Sequence, residues 1–157
     1  MTSDSLSHVD GSGRLQMVDV SAKSPTRRVA RASCVIVTAL ALDELRSAST
    51  APDVVQSARL SGIQGAKASS SLIPLCHPLV LDDVQVDVTA HARGLEVTSS
   101  VTTVSRTGVE MEALTACVLC ALSLIDSIGE LAPGARMADL ALLSKSGGKS
   151  DWGRELA

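Results

Sequence analysis

Val84-Gln-Val-Asp-Val-Thr-Ala-His-Ala-Arg-Gly-Leu-Glu-Val-Thr-Ser-Ser-Val101 decides the fold. Val84, Val86 and Val88 alternate with Gln85, Asp87 and Thr89, a period of two that sets the valines on one face of a strand. His91-Ala-Arg-Gly94 supplies a turn, and Leu95, Val97 and Val101 continue the alternation, so the segment reads as an antiparallel hairpin. Downstream, residues from Glu110 to about Glu130 read as one long helix that is apolar almost all round between Ala113 and Ile125. Such a helix has to be covered on two sides, and the expected covers are its own sheet and a second subunit.

Upstream of the hairpin, Ser33-Cys-Val-Ile-Val-Thr-Ala39 is a β-branched run that predicts a strand, and Leu42 to Arg46 a short helix. Pro52 initiates a helix over Asp53 to Ser69 that delivers the chain to the loop at Leu72. Met137 to about Ser144 predicts the last strand, ahead of Lys145-Ser-Gly-Gly-Lys149. Residues 1–16, rich in Ser, Gly and Asp, are expected to be a mobile tail, 17–150 the folded domain and 151–157 a polar tail.

A length of 157 residues suits one domain with one core. With one tryptophan and neither Phe nor Tyr, that core is built from Val, Leu, Ile, Ala and Met. The same poverty argues against a binder of single-stranded nucleic acid, which stacks bases on aromatic rings. A formal charge of -3 gives no global attraction for nucleic acid or an anionic membrane, so an anion site has to be a local cluster of Lys and Arg. No secretory start and no run approaching about twenty apolar residues is read, so no membrane partner and a cytoplasmic location are expected. Cys34, Cys76, Cys117 and Cys120 are read as reduced thiols.

The chemistry concentrates in two blocks, Leu72-Ile-Pro-Leu-Cys-His-Pro-Leu79 and Gly108-Val-Glu-Met-Glu-Ala-Leu-Thr-Ala116. Pro74 and Pro78 restrict the backbone around Cys76 and His77 and favour an extended, pre-organised loop. His8 and His91 lack such a frame and are read as surface residues. Glu110 and Glu112 diverge by about 200° on a regular helix, so both are not expected in one pocket unless the helix start is irregular; the alternative is that both simply favour the helix N-terminus. Asp126 follows Leu124 and Ile125, and a carboxylate on an apolar face needs a partner unless it lies exposed near the helix end. Lys145-Ser-Gly-Gly-Lys149-Ser150 lacks the glycine four residues before Gly-Lys that a Walker A loop requires, although its glycines could let backbone N–H groups approach phosphate oxygens. Cys117-Val-Leu-Cys120 has the spacing of a redox or zinc motif but sits deep in the apolar helix, so it is read as core.

These blocks, with Met17-Val-Asp-Val-Ser-Ala-Lys23, Ala58-Arg-Leu-Ser-Gly-Ile-Gln64 and Arg106-Thr-Gly108, resemble the cyclic pyranopterin monophosphate synthase family of molybdenum cofactor biosynthesis. The resemblance implies an α+β fold, an antiparallel sheet backed by helices, in a single domain. It further implies dimers assembled into a hexamer, with active sites at subunit interfaces. The implied substrate is cyclised dihydro-GTP, or a related pterin phosphate, converted with loss of pyrophosphate and without metal or organic cofactor. Lys23, Arg28, Lys67, Cys76, Met111, Lys145 and Lys149 would then bind substrate and phosphates, and His77, Glu112 and Asp126 would act at the reacting rings, by acid/base chemistry and charge stabilisation.

Two positions depart from the family pattern. It carries a lysine where Ala51 stands, and another three residues after the helix aspartate, where this chain has Gly129. Three alternatives follow: Arg46, Arg136 or Lys149 takes over a lost role; the chain is a silent paralogue that binds a nucleotide or pterin phosphate, or joins mixed oligomers with an active relative; or it acts on a related purine or pterin phosphate.

Overall fold

A computed structural model of the chain describes residues 7–47 and 53–154. Position 51 therefore lies outside the described residues. In chain order the elements are β1 (Thr26–Val37), α1 (Leu42–Ser47), α2 (Val54–Leu72), β2 (Asp83–His91), β3 (Gly94–Ser105), α3 (Glu110–Ile128), β4 (Arg136–Ser146) and β5 (Trp152–Gly153), with one 3-10 turn at Gly129–Leu131. The strands form one antiparallel sheet in the order β2-β3-β1-β4-β5. The fold is the expected α+β arrangement.

The hairpin lies where its alternation predicts, with Val86 paired to Ser99 and Val88 to Val97. Val86, Val88, Leu95, Val97 and Val101 are all buried on one face, and Ala30, Ala32, Cys34 and Ile36 of β1 continue that face. β1 begins at Thr26, seven residues ahead of its apolar run. Arg27, Arg28 and Arg31 hide this extension from a reading based on hydrophobicity. β5 likewise carries the sheet past residue 150, where a tail was expected.

α3 packs on the buried face of the sheet, and α2 packs on α3. The second cover of α3 is therefore α2 of the same chain, a correction to the expectation that a second subunit supplies it. Two glycines make the helix pairing close. A Cβ on Gly62 would stand 2.8 Å from the Ala116 carbonyl oxygen, and one on Gly65 2.8 Å from Leu119 Cβ. What remains for a further partner is a stripe on which Val118 and Ile125 are half-buried and Leu122 is 49% exposed. Glu110–Leu131, 22 residues that include an 18-residue stretch of mean hydropathy 1.7, does reach the length and apolarity of a membrane span. That overturns the earlier count, though here its inward face forms the core of the domain.

The helices run antiparallel, since Gly65 faces Thr115 and Leu119 while Ser61 reaches Ser123. Consequently the loop leaving α2 arrives beside the first turn of α3. Asp53 caps the opposite end of α2 by accepting from the Val55 and Gln56 amides.

Candidate active site

Where that loop meets the first turn of α3, the start of β1 and the turn after β4, the surface closes around a cavity of about 1130 Å3. Pro74 takes the second place of a turn closed by the Cys76 amide donating to the Ile73 carbonyl at 3.0 Å. Ile73 is extended, and past the turn residues 76–81 carry no regular structure, so the expected extended loop contains a turn. This turn aims Cys76 at α3, and its Sγ donates to Glu112 Oε1 at 3.4 Å. His77 lines the cavity beside it.

Glu112 is 3% exposed. Burial raises its pKa, against the lowering effect of its own backbone N–H and of Cys76. Burial and then the Glu112 charge push the Cys76 thiol up to about 11. Glu110 also faces the cavity, paired with Lys145 at 3.3 Å. Both glutamates thus enter one pocket, which corrects the expectation drawn from their 200° separation. The cavity lies over the end of the helix rather than along its side, so residues on opposite sides of the first turn, with Met111 between them, can all reach it.

Lys23, Arg28, Lys145 and Lys149 line the same cavity and give it a cationic wall. The Gly147-Gly148 turn is held by the Thr26 hydroxyl donating to the Gly147 carbonyl and by the Gly147 amide donating to Asp151. The Arg28 guanidinium lies across Gly148, where an added Cβ would meet Nη1 at 2.7 Å. A cation that the sequence reading missed, Arg106, joins this wall, its Nε donating to the Lys23 carbonyl at 3.0 Å. Its place directly before Thr107-Gly108 was the available signal. His8, expected at the surface, lines the cavity as well.

Among the described residues that line the cavity, neither Lys67 nor Asp126 appears. Lys67 is exposed on α2, and Asp126 is exposed near the end of α3. Fourteen residues of helix separate Asp126 from Glu112, which is about 21 Å at 1.5 Å per residue. Within one chain these two carboxylates cannot share a substrate. Arg46 is exposed and paired with Asp43 at 4.0 Å, and Arg136 is exposed at the start of β4. Neither lines the cavity. Gly129 has φ +47 and nothing within 4 Å of the place a Cβ would occupy.

Cys117 and Cys120 are fully buried and unpaired, as the core reading expected. No group of three or more His, Cys, Asp or Glu side chains among the described residues is placed to hold a metal ion.

The MoaC family model matches residues 17–148. A protein of Streptomyces coelicolor called cyclic pyranopterin monophosphate synthase is 44% identical over 154 residues, covering 96% of this chain and 91% of that one. Cyclic pyranopterin monophosphate synthase 2 of Mycobacterium tuberculosis is 44% identical over 149 residues, 94% of this chain and 89% of its own length. A Nostoc protein called cyclic pyranopterin monophosphate synthase is 44% identical over 152 residues, 94% and 90% of the two chains. The match takes in β1 with Arg28, the Cys76-His77 loop, the two glutamates of α3 and the Gly-Gly turn; this chain belongs to the MoaC family.

Proposed function

We propose that the chain acts in molybdenum cofactor biosynthesis as a cyclic pyranopterin monophosphate synthase, converting cyclised dihydro-GTP to cyclic pyranopterin monophosphate with release of pyrophosphate. The observation that carries this is the pairing, in one cavity, of a cationic wall with the buried Cys76–Glu112 couple. Lys23, Arg28, Arg106, Lys145 and Lys149 offer charge and donors to a triphosphate. Glu112, with its raised pKa, keeps a proton to higher pH than an ordinary carboxylic acid and is suited to deliver it to a leaving or ring atom. Cys76 fixes the direction of that carboxyl, and His77 offers a second group for proton movement beside it.

The 21 Å between Glu112 and Asp126 supports a site made by two copies, with the cationic half from one and the Asp126 end from another. The apolar stripe on α3 through Leu122 is suited to that contact. A hexamer of three dimers in the cytoplasm is the assembly this reading entails.

A second reading is favoured by Gly129. The resemblance puts lysines at positions 51 and 129, and removal of a positioned acid/base group costs about 10²–10⁴ in rate. On this reading the chain is a silent relative that keeps the phosphate wall and binds a nucleotide or pterin phosphate, alone or in mixed oligomers. Purified protein supplied with cyclised dihydro-GTP distinguishes the two, with pyrophosphate and pyranopterin as readouts. Turnover by the unaltered chain establishes the synthase. Turnover only in the Ala51→Lys/Gly129→Lys variant establishes the silent relative, and none in either rules against a synthase-type site.

A further inference from the structure

Residues 7–16 form a small self-contained turn. Val9 and Leu15 make an antiparallel bridge, and the Gln16 amide donates to the His8 carbonyl at 2.9 Å. Asp10 Oδ1 accepts from the Ser12 amide, the Ser12 hydroxyl and the Arg14 amide, at 2.7 to 2.9 Å. Among the described residues, every hydrogen bond made by this segment stays within it. The turn nevertheless lies at the cavity, where Ser7, His8 and Leu15 contribute to the lining. Leu15 is 76% exposed in that position. An apolar side chain that lines a cavity yet remains this exposed marks an element resting at the rim, and among the described residues no hydrogen bond ties that element to the rest of the domain.

His8 sets what a movement of that element would do. Its Nδ1 lies 3.3 Å from the Gln16 carbonyl oxygen, an acceptor, so Nδ1 carries the hydrogen. That bond fixes the ring and leaves Nε2 without a partner among the described residues. The same cavity is cationic through Arg28, Arg106, Lys145 and Lys149, so the occupant it favours carries phosphate. A phosphate oxygen only accepts at these cations, and an imidazolium brought against it is a charge-assisted donor through Nε2.

We propose that residues 7–16 are a lid that closes over a phosphate-bearing ligand, and that His8 is the residue through which the lid contacts it. This rests on reading the cationic wall as the phosphate half of the site. It adds a ligand-contacting residue, and a moving element, that neither the wall nor the Cys76–Glu112 couple requires.

The test uses the full chain and inorganic pyrophosphate as the probe, with affinity read by calorimetry and lid position by the rate of tryptic cleavage at the exposed Arg14–Leu15 bond. Four proteins are compared: unaltered, His8→Ala, His8→Gln and Lys145→Ala. The expected result is that pyrophosphate slows cleavage after Arg14 in the unaltered protein. His8→Ala should lose that protection and bind about tenfold more weakly. His8→Gln, which retains a side-chain N–H donor, should recover part of both, and the thermal midpoint of the free His8 variants should stay unchanged. If Lys145→Ala weakens binding while His8→Ala alters neither affinity nor cleavage, the lid is overturned and the phosphate wall stands. If the unaltered protein does not bind pyrophosphate, the wall and the lid fall together. A lowered thermal midpoint of free His8→Ala, with affinity intact, overturns the contact by revealing a structural role.

Discussion

Cys76 Sγ and Glu112 Oε1 lie 3.4 Å apart and join the loop after α2 to the first turn of α3. The thiol donates and the carboxylate accepts, so each affects the ionisation of the other. Burial comes first in raising the Cys76 pKa from 9.0 to about 11, and the Glu112 charge comes second. At pH 7.5 this shift lowers the thiolate fraction about a hundredfold relative to an unperturbed thiol. Alkylation of Cys76 by iodoacetamide, followed by peptide mass spectrometry, should be correspondingly slow and should keep accelerating with pH past 9. Glu112→Gln removes the second cause and should speed the reaction while leaving it slower than a free thiol. Labelling as fast as free cysteine would contradict the pairing.

The raised pKa of Glu112 has a consequence for stability with a definite sign. Between its unfolded and folded pKa values the native state binds more protons than the unfolded state, so stability falls as pH rises through that window. Above the folded pKa the full cost of holding a buried charge is present; below the unfolded pKa, ordinarily about 4.5, it is absent. Glu112→Gln keeps an acceptor for Cys76 and removes that charge. Its thermal midpoint should exceed that of the unaltered protein at pH 7 to 8, and the gap should close as pH falls toward 4.5. A gap that widened on acidification would reverse the sign and refute the desolvation argument.

Close approach of α2 and α3 sets the distance between the Cys76 loop and the Glu112 turn. Gly62→Ala puts a methyl 2.8 Å from the Ala116 carbonyl oxygen and 3.1 Å from both Cys120 Cβ and Val86 Cγ1. Two of these neighbours are fixed by the helix itself, so the helices have to separate, at a cost of about 1–3 kcal/mol. Chemical denaturation should register that loss, and the parted helices should also weaken the Cys76–Glu112 contact and speed Cys76 alkylation. An unchanged midpoint would mean that the two helices can slide apart freely.

Much of this arrangement is legible in the sequence because it rests on local periodicity. The valine alternation places β2 and β3, the apolar run places α3, and the proline-framed Cys76-His77 loop and paired glutamates mark one side of the cavity. What escaped depends on which end of an element meets which. Nothing in the spacing of Glu110 and Glu112 reveals that the cavity caps the helix instead of flanking it. Arg106 is marked only by its place before Thr107-Gly108 and His8 by nothing local, and the folded path of residues 7–16 and 105–108 brings both to one cavity. Conversely, Asp126 is read beside His77 by resemblance, while the length of α3 keeps them apart within one chain.

Gly129 decides how far the departure from the family pattern can be repaired. Its backbone has φ +47 and ψ -122, a region costly to any residue with a side chain, and it ends α3 there. Because nothing lies within 4 Å of a Cβ built at this position, the penalty of substitution is conformational and not a clash. Gly129→Ala and Gly129→Lys should therefore destabilise the chain equally, by about 1–3 kcal/mol, seen as matching losses in thermal midpoint. If lysine costs much less than alanine, its ammonium has found a partner such as Asp126, three residues earlier on the helix. The double variant Ala51→Lys/Gly129→Lys then has to be assayed below its lowered midpoint, since inactivity measured above it would report unfolding and not a missing proton donor.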